Sequence, residues 1–297
     1  MEAQFEIKKV ELPNGETFAY RDVGTGSKVI VFVHGALLSS ASWLQIIPKF
    51  TDKFRVVAPD LRGHGKSSYN NPVKSHDENA EDLKLFVDAI GLKKFYLVGW
   101  SMGGGISMKF TANYPEYVER LILHNSMGVQ GVPRTKVEDG KPTTERITSE
   151  EDAINHPHSV FLATVIAQQD KDKIKFIQDA SIYTGRAKLD GERLEASIQE
   201  WFDCRCAQRL GHLANIYNIT DERSGPVEGT NEISKIKCKT LILHGEKDVI
   251  VKSEEAERIK KLIGDNAELK IFPEAGHAVV EDYPEEFVQL VTEFCST

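Results

Sequence analysis

Short apolar runs recur along the chain and alternate with segments of helical spacing. The run over residues 29–33 (VIVFV) is continuous and mostly β-branched, which is typical of a central strand buried on both faces. Similar runs follow at residues 55–58, 95–98, 121–123, 240–243 and 269–272. Strands that alternate with helices predict a doubly wound α/β fold around a mostly parallel sheet.

The two ends of the chain add an edge and a final helix to this picture. Residues 6–12 and 17–22 alternate in polarity and are joined by Asn14-Gly15, which is a strong hairpin signal. They predict an antiparallel edge to the sheet. Apolar residues three and four apart predict helices over residues 83–90 and from Pro284 onwards.

The pattern changes between residues 126 and 232. This part begins with a polar stretch that contains glycine and proline, and then shows amphipathic helical spacing over residues 159–167 and 192–213. We therefore predict that residues 1–125 and 233–297 form the α/β core. Residues 126–232 are predicted to form an inserted helical cap, or lid.

Composition limits the possible partners. The 297 residues carry a formal net charge of -8, which argues against a nucleic-acid surface because phosphate binding needs clustered cations. We see neither a secretory signal over residues 1–10 nor an apolar run long enough to span a membrane. The expected location is therefore cytoplasmic, the expected partner is a small-molecule substrate, and the oligomeric state stays open.

The spacing of the cysteines does not suggest a metal site. Cys204 and Cys206 form a Cys-x-Cys pair that matches no common zinc spacing, and the remaining two cysteines are scattered. His156-Pro157-His158 offers no third ligand at helical spacing and is interpreted as a surface loop. We expect reduced thiols, no metal and no cofactor.

The stretch around Ser101 carries the strongest chemical signal. Gly99-Trp100-Ser101-Met102-Gly103 lies between an apolar strand and a helical segment, which is the pattern of a nucleophile elbow. The tight turn requires small residues two before and two after the serine, and Gly99 and Gly103 meet this requirement. The Met102 amide at the start of the helix is a candidate oxyanion-hole donor.

A second oxyanion donor is expected from the loop after residues 29–33. His34-Gly35 ends that strand, and the amide of Ala36 is the candidate. We interpret His34 as a structural residue because it stands beside the glycine that lets the loop turn.

Asp248 and His277 are the candidate partners of Ser101. A serine hydroxyl needs a base within hydrogen-bond reach and an acid that orients the base, in the chain order serine, acid, histidine. Both residues follow apolar strands, at the carboxyl edge where parallel sheets bind ligands. Glu246 is the weaker claimant for the acid. Glu281 and Asp282 are assigned to the acidic start of the last helix.

These motifs together resemble the α/β-hydrolase superfamily, in its serine-hydrolase branch. They are the elbow GWSMGG, His34-Gly35, residues 60–65 (DLRGHG), residues 244–248 (HGEKD) and Gly276-His277. The resemblance covers about two thirds of the chain and implies an eight-stranded, mostly parallel sheet with a lid after the sixth strand. Relatives with an aspartate nucleophile are disfavoured by the serine at position 101. Some relatives place the acid after the sixth strand, where this chain has His124-Asn125.

The sequence also contains part of a phosphate-loop motif. Gly65-Lys66-Ser67 suggests a phosphate loop, but that motif requires glycine at position 60, where this chain has Asp60.

The leading functional hypothesis is hydrolysis of a carboxylic ester, lactone or thioester of a small to medium, partly apolar substrate. The alternatives are hydrolysis of a carbon–carbon bond in a diketone by the same triad, and a ligand receptor with slow or no turnover. Trp100, Trp43 and Phe161, and also Trp201, are candidates for the substrate pocket, although aromatic residues at such spacing also occur in simple cores.

Overall fold

The computed structural model describes residues 5–296 and contains an eight-stranded sheet and a separate two-stranded sheet. The strands are β1 Lys8–Glu11, β2 Thr17–Val23, β3 Lys28–Val33, β4 Phe54–Pro59, β5 Phe95–Trp100, β6 Val118–His124, β7 Thr135–Glu138, β8 Lys141–Arg146, β9 Lys239–Gly245 and β10 Ala267–Phe272. The large sheet has the order β1-β2-β4-β3-β5-β6-β9-β10.

Most neighbours in this sheet are parallel. From β4 through β10 every adjacent pair is parallel, whereas β1 pairs antiparallel with β2 and β2 with β4. The predicted N-terminal hairpin and antiparallel edge are therefore confirmed. The mostly parallel α/β sheet is confirmed as well.

Helices cover both faces of the sheet. The helices of the described residues are α1 Ile47–Phe50, α2 His76–Ala89, α3 Met102–Asn113, α4 Glu150–Ile154, α5 Pro157–Ala167, α6 Lys171–Ser181, α7 Gly191–Phe202, α8 Ala207–Asn215, α9 Ser253–Ile263, α10 Val279–Asp282 and α11 Pro284–Ser296, of which α4 to α8 lie between β6 and β9. Alternate residues of β3 enter opposite cores: Val31 lies in the core with α2, α3 and α9, and Phe32 in the core with α1 and α11. This explains why the central strands are apolar at every position.

The register of the sheet brings distant loops to one edge. Val33 lies opposite Gly99, Trp100 opposite His124, and Gly245 opposite Phe272. The strands end at similar heights because they are parallel and in register. The segments that follow β3, β5, β6, β9 and β10 therefore all emerge at the carboxyl edge.

Residues 126–232, between β6 and β9, contain β7, β8 and helices α4 to α8, and we call them the inserted segment. Its polar first part forms the β7–β8 hairpin, which the hydrophobic pattern did not predict. The helical spacing over residues 192–213 corresponds to two helices, because residues 203–206 separate α7 from α8. Apolar residues of α5, α6 and α7 pack in the same core as α11.

Two smaller expectations are also corrected. His156-Pro157-His158 is not a surface loop, since His156 caps α5 and its Nδ1 accepts from the His158 amide at 3.2 Å. Glu281 and Asp282 belong to the short helix α10 and not to α11. Among residues 5–296, no helix is long and apolar enough to cross a membrane.

Candidate active site

Ser101 occupies a strained turn between β5 and α3. Its backbone has φ 55° and ψ -118°, outside the regions that a residue with a side chain normally adopts. Such strain persists only where the surroundings fix it, and it is commonly found at functional sites. The Ser101 amide donates to the His124 carbonyl at 3.0 Å, and the Met127 amide donates to the Ser101 carbonyl at 2.9 Å. The turn is therefore held by the end of β6.

The glycines around Ser101 are required by close backbone approach. A Cβ atom at Gly103 would lie 2.4 Å from the carbonyl oxygens of Val33 and His34. A Cβ atom at Gly99 would lie 2.4 Å from the Gly103 carbonyl oxygen. Real Cβ atoms do not approach so closely, so the elbow tolerates only glycine at both positions.

The loop after β3 passes beside the elbow. A Cβ atom at Gly35 would be 3.3 Å from the Ser101 Cβ, which shows how near the loop comes to the serine. The buried His34 ring fixes this loop: its Nε2 accepts from the Leu61 amide at 3.0 Å, and its Nδ1 lies 2.8 Å from the Gly35 carbonyl. Ala36 follows directly and lines the same cavity as Met102.

Asp248 and His277 form a buried hydrogen-bonded pair. The His277 Nδ1 lies 2.6 Å from Asp248 Oδ2, and both side chains are almost fully buried. The other carboxylate oxygen, Oδ1, accepts from the amides of Ile250 at 2.8 Å and Val251 at 2.9 Å. The pair leaves the Nε2 edge of the imidazole available. Glu246, the weaker claimant for the acid, is exposed.

The environment keeps Asp248 ionised. Burial would raise the pKa of the carboxyl group, but the His277 imidazole and the Val251 amide outweigh it, so that the pKa lies below its ordinary value. His244 lies 3.6 Å from Asp248 Oδ2, and burial lowers the pKa of its imidazole. A charged carboxylate beside a neutral second histidine suits an acid that orients and stabilises an imidazolium.

Three residues hold this pair in place, a role that the sequence did not predict for them. Asn125, after β6, donates from Nδ2 to Asp248 Oδ2 at 2.8 Å and to the Gly276 carbonyl at 3.1 Å. The Trp100 indole donates to the His277 carbonyl at 2.9 Å, and Asp282 accepts from the Gly276 amide at 2.8 Å. The only signal in the sequence for such a role was the position of Asn125 after the sixth strand, where some relatives have the acid of the triad.

A cavity of about 370 Å³ lies above this edge of the sheet, beneath the inserted segment. Ser101, His277, Ala36, Met102 and Trp100 all line it. The structure thus brings the serine and the histidine to one cavity, with Asp248 behind the histidine. Most of the wall is apolar and comes from residues 35–38 and from helices α5 to α8.

The candidate aromatic residues divide between the cavity and elsewhere. Trp100 and Trp201 line the cavity. Trp43 does not, because it is fully buried in the core with its ring 5.7 Å from that of Trp100. Phe161 is 47% exposed and also lies outside the lining. The structure therefore places both Trp43 and Phe161 away from the pocket. On α5 it is Leu162, the neighbour of Phe161, that lines the cavity.

Three buried nitrogen atoms in the cavity wall have no hydrogen-bond partner: His76 Nε2, Arg134 Nε and Trp201 Nε1. Among the described residues that line the cavity, none is aspartate or glutamate. Burial lowers the pKa of Arg134, and no carboxylate offsets this. Burial also lowers the pKa of His76 to about 3, so that imidazole is neutral. Unpartnered buried donors need an explanation, and a bound acceptor group supplies one.

A larger cavity of about 530 Å³ lies between residues 41–45 and α7. None of Ser101, Asp248 and His277 lines it, and its wall carries several glutamates. We therefore place the candidate active site in the smaller cavity.

Comparison with known proteins supports the same fold. A profile of the alpha/beta hydrolase fold matches residues 28–151, and one of the dienelactone hydrolase family matches residues 212–293. An esterase from Exiguobacterium antarcticum superposes with a TM-score of 0.76 at 20% identity, covering 98% of this chain and 99% of the esterase. The chain belongs to the α/β-hydrolase superfamily. It is a hydrolase of that fold.

Two relatives span nearly the whole chain. One is a 2-hydroxy-6-oxo-2,4-heptadienoate hydrolase of Pseudomonas putida, 26% identical over 97% of this chain and 96% of the relative. The other is a 2-hydroxy-6-oxononadienedioate/2-hydroxy-6-oxononatrienedioate hydrolase of Escherichia coli, 28% identical over 93% of this chain and 89% of the relative. Both names describe hydrolases of unsaturated keto acids.

Proposed function

We propose that the chain is a serine hydrolase that cleaves a carboxylic ester, lactone or thioester through an acyl-enzyme. The observation that carries this proposal is the arrangement of the three side chains. The Ser101 hydroxyl and the His277 imidazole line one mostly apolar cavity. The buried Asp248 carboxylate is hydrogen-bonded to Nδ1 of that imidazole, on the side away from Nε2.

The proposed reaction begins when His277 removes the Ser101 proton as the hydroxyl oxygen attacks the substrate carbonyl. Asp248 keeps the proton on Nδ1, so that Nε2 is free to accept. The Ala36 and Met102 amides receive the developing oxyanion, because both lie at the cavity beside the serine. His277 then protonates the leaving alcohol, and water releases the acyl group.

The inserted segment acts as a lid in this proposal. Its helices supply much of the apolar wall above Ser101, and they exclude water from the reacting carbonyl. The cavity volume of about 370 Å³ suits a small to medium acyl or alcohol group.

The ester proposal is tested with a series of p-nitrophenyl esters of increasing acyl length, together with a lactone panel. We expect turnover that Ser101→Ala reduces by at least about 1,000-fold, and rapid labelling of Ser101 by a fluorophosphonate. Ser181→Ala is a matched control, because Ser181 lines the same cavity but its hydroxyl donates to the Ile177 carbonyl. No labelling, or equal losses in both variants, would refute the proposal.

A second candidate is hydrolysis of a carbon–carbon bond in a diketone that carries a carboxylate. The names of both relatives describe such acids. The cavity supports the same substrate class, because Arg134 is a partly buried cation with no acidic residue in the described lining. A substrate carboxylate would give the guanidinium a charged partner and would accept from His76 Nε2 or Trp201 Nε1.

In this reaction Ser101 attacks the ketone, and the carbon–carbon bond breaks with its electron pair on the leaving carbon. His277 delivers the proton to that carbon, and water then hydrolyses the acyl-enzyme. The triad therefore serves both candidates, and the substrate decides between them.

The two candidates separate in paired assays. Ring-cleavage diketones absorb strongly, so their hydrolysis is followed as loss of absorbance beside the ester series. If a carboxylate binds Arg134, Arg134→Met should raise KM for the acidic diketone about 10- to 100-fold and leave a neutral ester unchanged. Lys136→Met is the control, because Lys136 pairs with Glu145 outside the cavity. Turnover of esters alone, or equal KM changes for both substrates, would reject the second candidate.

A further inference from the structure

Three soft or borderline metal ligands meet outside the active site. Cys204 and Cys206 lie between α7 and α8 of the inserted segment, and His64 lies in the loop after β4 of the core. One donor atom of each lies within 4.8 Å of the others. The three residues are 2 to 4% exposed. The cluster therefore joins two parts of the chain that are about 140 residues apart.

Two distances within the cluster are close to those between ligands of one zinc ion. The two Sγ atoms are 3.7 Å apart, and Cys206 Sγ is 3.6 Å from both nitrogens of the His64 ring. With Zn–S at about 2.3 Å and Zn–N at about 2.0 Å, neighbouring ligands of a tetrahedral centre lie about 3.5 to 3.8 Å apart. Two cysteines and one histidine, with a fourth position open, are a known zinc ligand set.

The hydrogen bond of the His64 ring also suits a metal. His64 Nδ1 lies 3.2 Å from the Arg62 carbonyl, and a proton on Nδ1 leaves the lone pair on Nε2 for a ligand bond. Thiolate sulfur and neutral imidazole nitrogen are the forms that bind zinc, and binding of the ion releases the ligand protons.

The cation beside the cluster is the guanidinium of Arg205, which donates to the carbonyls of Gly65 at 3.0 Å, Asp203 at 2.7 Å and His64 at 3.4 Å. One guanidinium offsets a single negative charge. Two buried thiolates would carry two negative charges, and burial of unpaired charge is costly. A divalent cation neutralises both, whereas a monovalent one leaves a charge.

We propose that His64, Cys204 and Cys206 bind one Zn²⁺ ion, which ties the inserted segment to the core. The site departs from the expectation of no metal because its third ligand is remote in sequence from the Cys-x-Cys pair. The His64 ring lies 4.9 Å from the ring of His34, which fixes the oxyanion loop. The ion therefore stiffens the loop that carries Ala36, without taking part in the hydrolysis.

The direct test uses the reduced wild-type protein and Co²⁺ as a spectroscopic probe. We expect one equivalent to bind, with the near-ultraviolet charge-transfer absorption that cobalt–thiolate bonds produce, and one equivalent of Zn²⁺ to displace it. Zn²⁺ should also raise the Tm, since an ion that binds only the folded chain stabilises it. This readout does not depend on substrate turnover, so it stands or falls separately from the proposed hydrolase reaction.

Substitution of single cysteines tests whether the ion binds at this cluster. Loss of a partner that only hydrogen-bonds a ligand costs about 10- to 100-fold in metal affinity, so Cys206→Ser should weaken Zn²⁺ binding by more than about 100-fold. Cys238→Ser is the control, because Cys238 is partly exposed and belongs to no such cluster among the described residues. The proposal is overturned if the wild-type protein shows no thiolate absorption with Co²⁺. It is also overturned if mass spectrometry shows Cys204 and Cys206 as a disulfide that persists in reductant.

Discussion

The Asp248→Asn substitution tests the proposed triad at its most buried member. Asp248 Oδ2 accepts from His277 and Asn125, and Oδ1 accepts from the amides of Ile250 and Val251. An asparagine cannot satisfy all four donors, because its NH2 group faces two of them in either orientation. The asparagine therefore favours the His277 tautomer with the proton on Nε2, which cannot accept the Ser101 proton.

The magnitude follows from this change of tautomer. The same substitution in a serine-protease triad lowers kcat about 10,000-fold, and each factor of ten corresponds to about 1.36 kcal/mol in the activation free energy. We therefore expect a rise of about 5 kcal/mol in the barrier. The substitution also removes hydrogen bonds to a charged carboxylate, each of which contributes about 1.5 to 3 kcal/mol. The free energy of unfolding should therefore fall by at least the contribution of one such bond.

The assay is kcat at saturating p-nitrophenyl ester, with the rate of fluorophosphonate labelling and the Tm measured on the same samples. Glu246→Gln is the matched control, because Glu246 is exposed and two residues away, and we expect its kcat to stay near the wild-type value. If Asp248→Asn keeps more than a tenth of the wild-type kcat while folded, the assignment of Asp248 as the orienting acid is wrong. An equal loss in Glu246→Gln would refute it too.

Two further predictions concern stability. Burial raises the pKa of Glu200 from 4.5 to about 8, so between these values the folded chain holds a proton that the unfolded chain has lost. The free energy of unfolding should therefore fall as pH rises through this interval, by at most about 1.4 kcal/mol per pH unit. Urea denaturation should show this slope in the wild type and in the exposed control Glu192→Gln, and an unchanged slope in Glu200→Gln would contradict it. Gly103→Ala should cost more than about 3 kcal/mol, because its Cβ would meet two backbone oxygens at 2.4 Å. Gly105→Ala meets only the flexible end of Met127 and should cost much less, so similar Tm values for the two variants would refute the steric argument.

The local signals in the sequence were sufficient for the main elements of the fold. The β-branched run at residues 29–33 predicted a buried strand, and Asn14-Gly15 predicted the hairpin. The inserted segment was harder to predict. Its β7–β8 hairpin is polar and mostly exposed or half-buried, and so it lacks the alternation that a buried face imposes.

The candidate site shows the same division. Ser101, Asp248 and His277 could be selected from the sequence because each follows a strand within a characteristic local motif. Asn125, Arg134 and His76 could not, because each has its position only through partners far along the chain. Trp43 and Phe161 were placed in the pocket on residue type, which does not show the direction a side chain takes.

The sequence by itself determined which segments of the core become strands and helices, and which residues are candidates for a nucleophile, a base and an acid. These properties depend on neighbours within a few positions, so they can be read from spacing. Tertiary structure alone decided which side chains line the cavity and which donors remain unpartnered there. It also decided that His64 meets Cys204 and Cys206. Such contacts join residues more than a hundred positions apart, and only the packing of the sheet and the inserted segment brings them together.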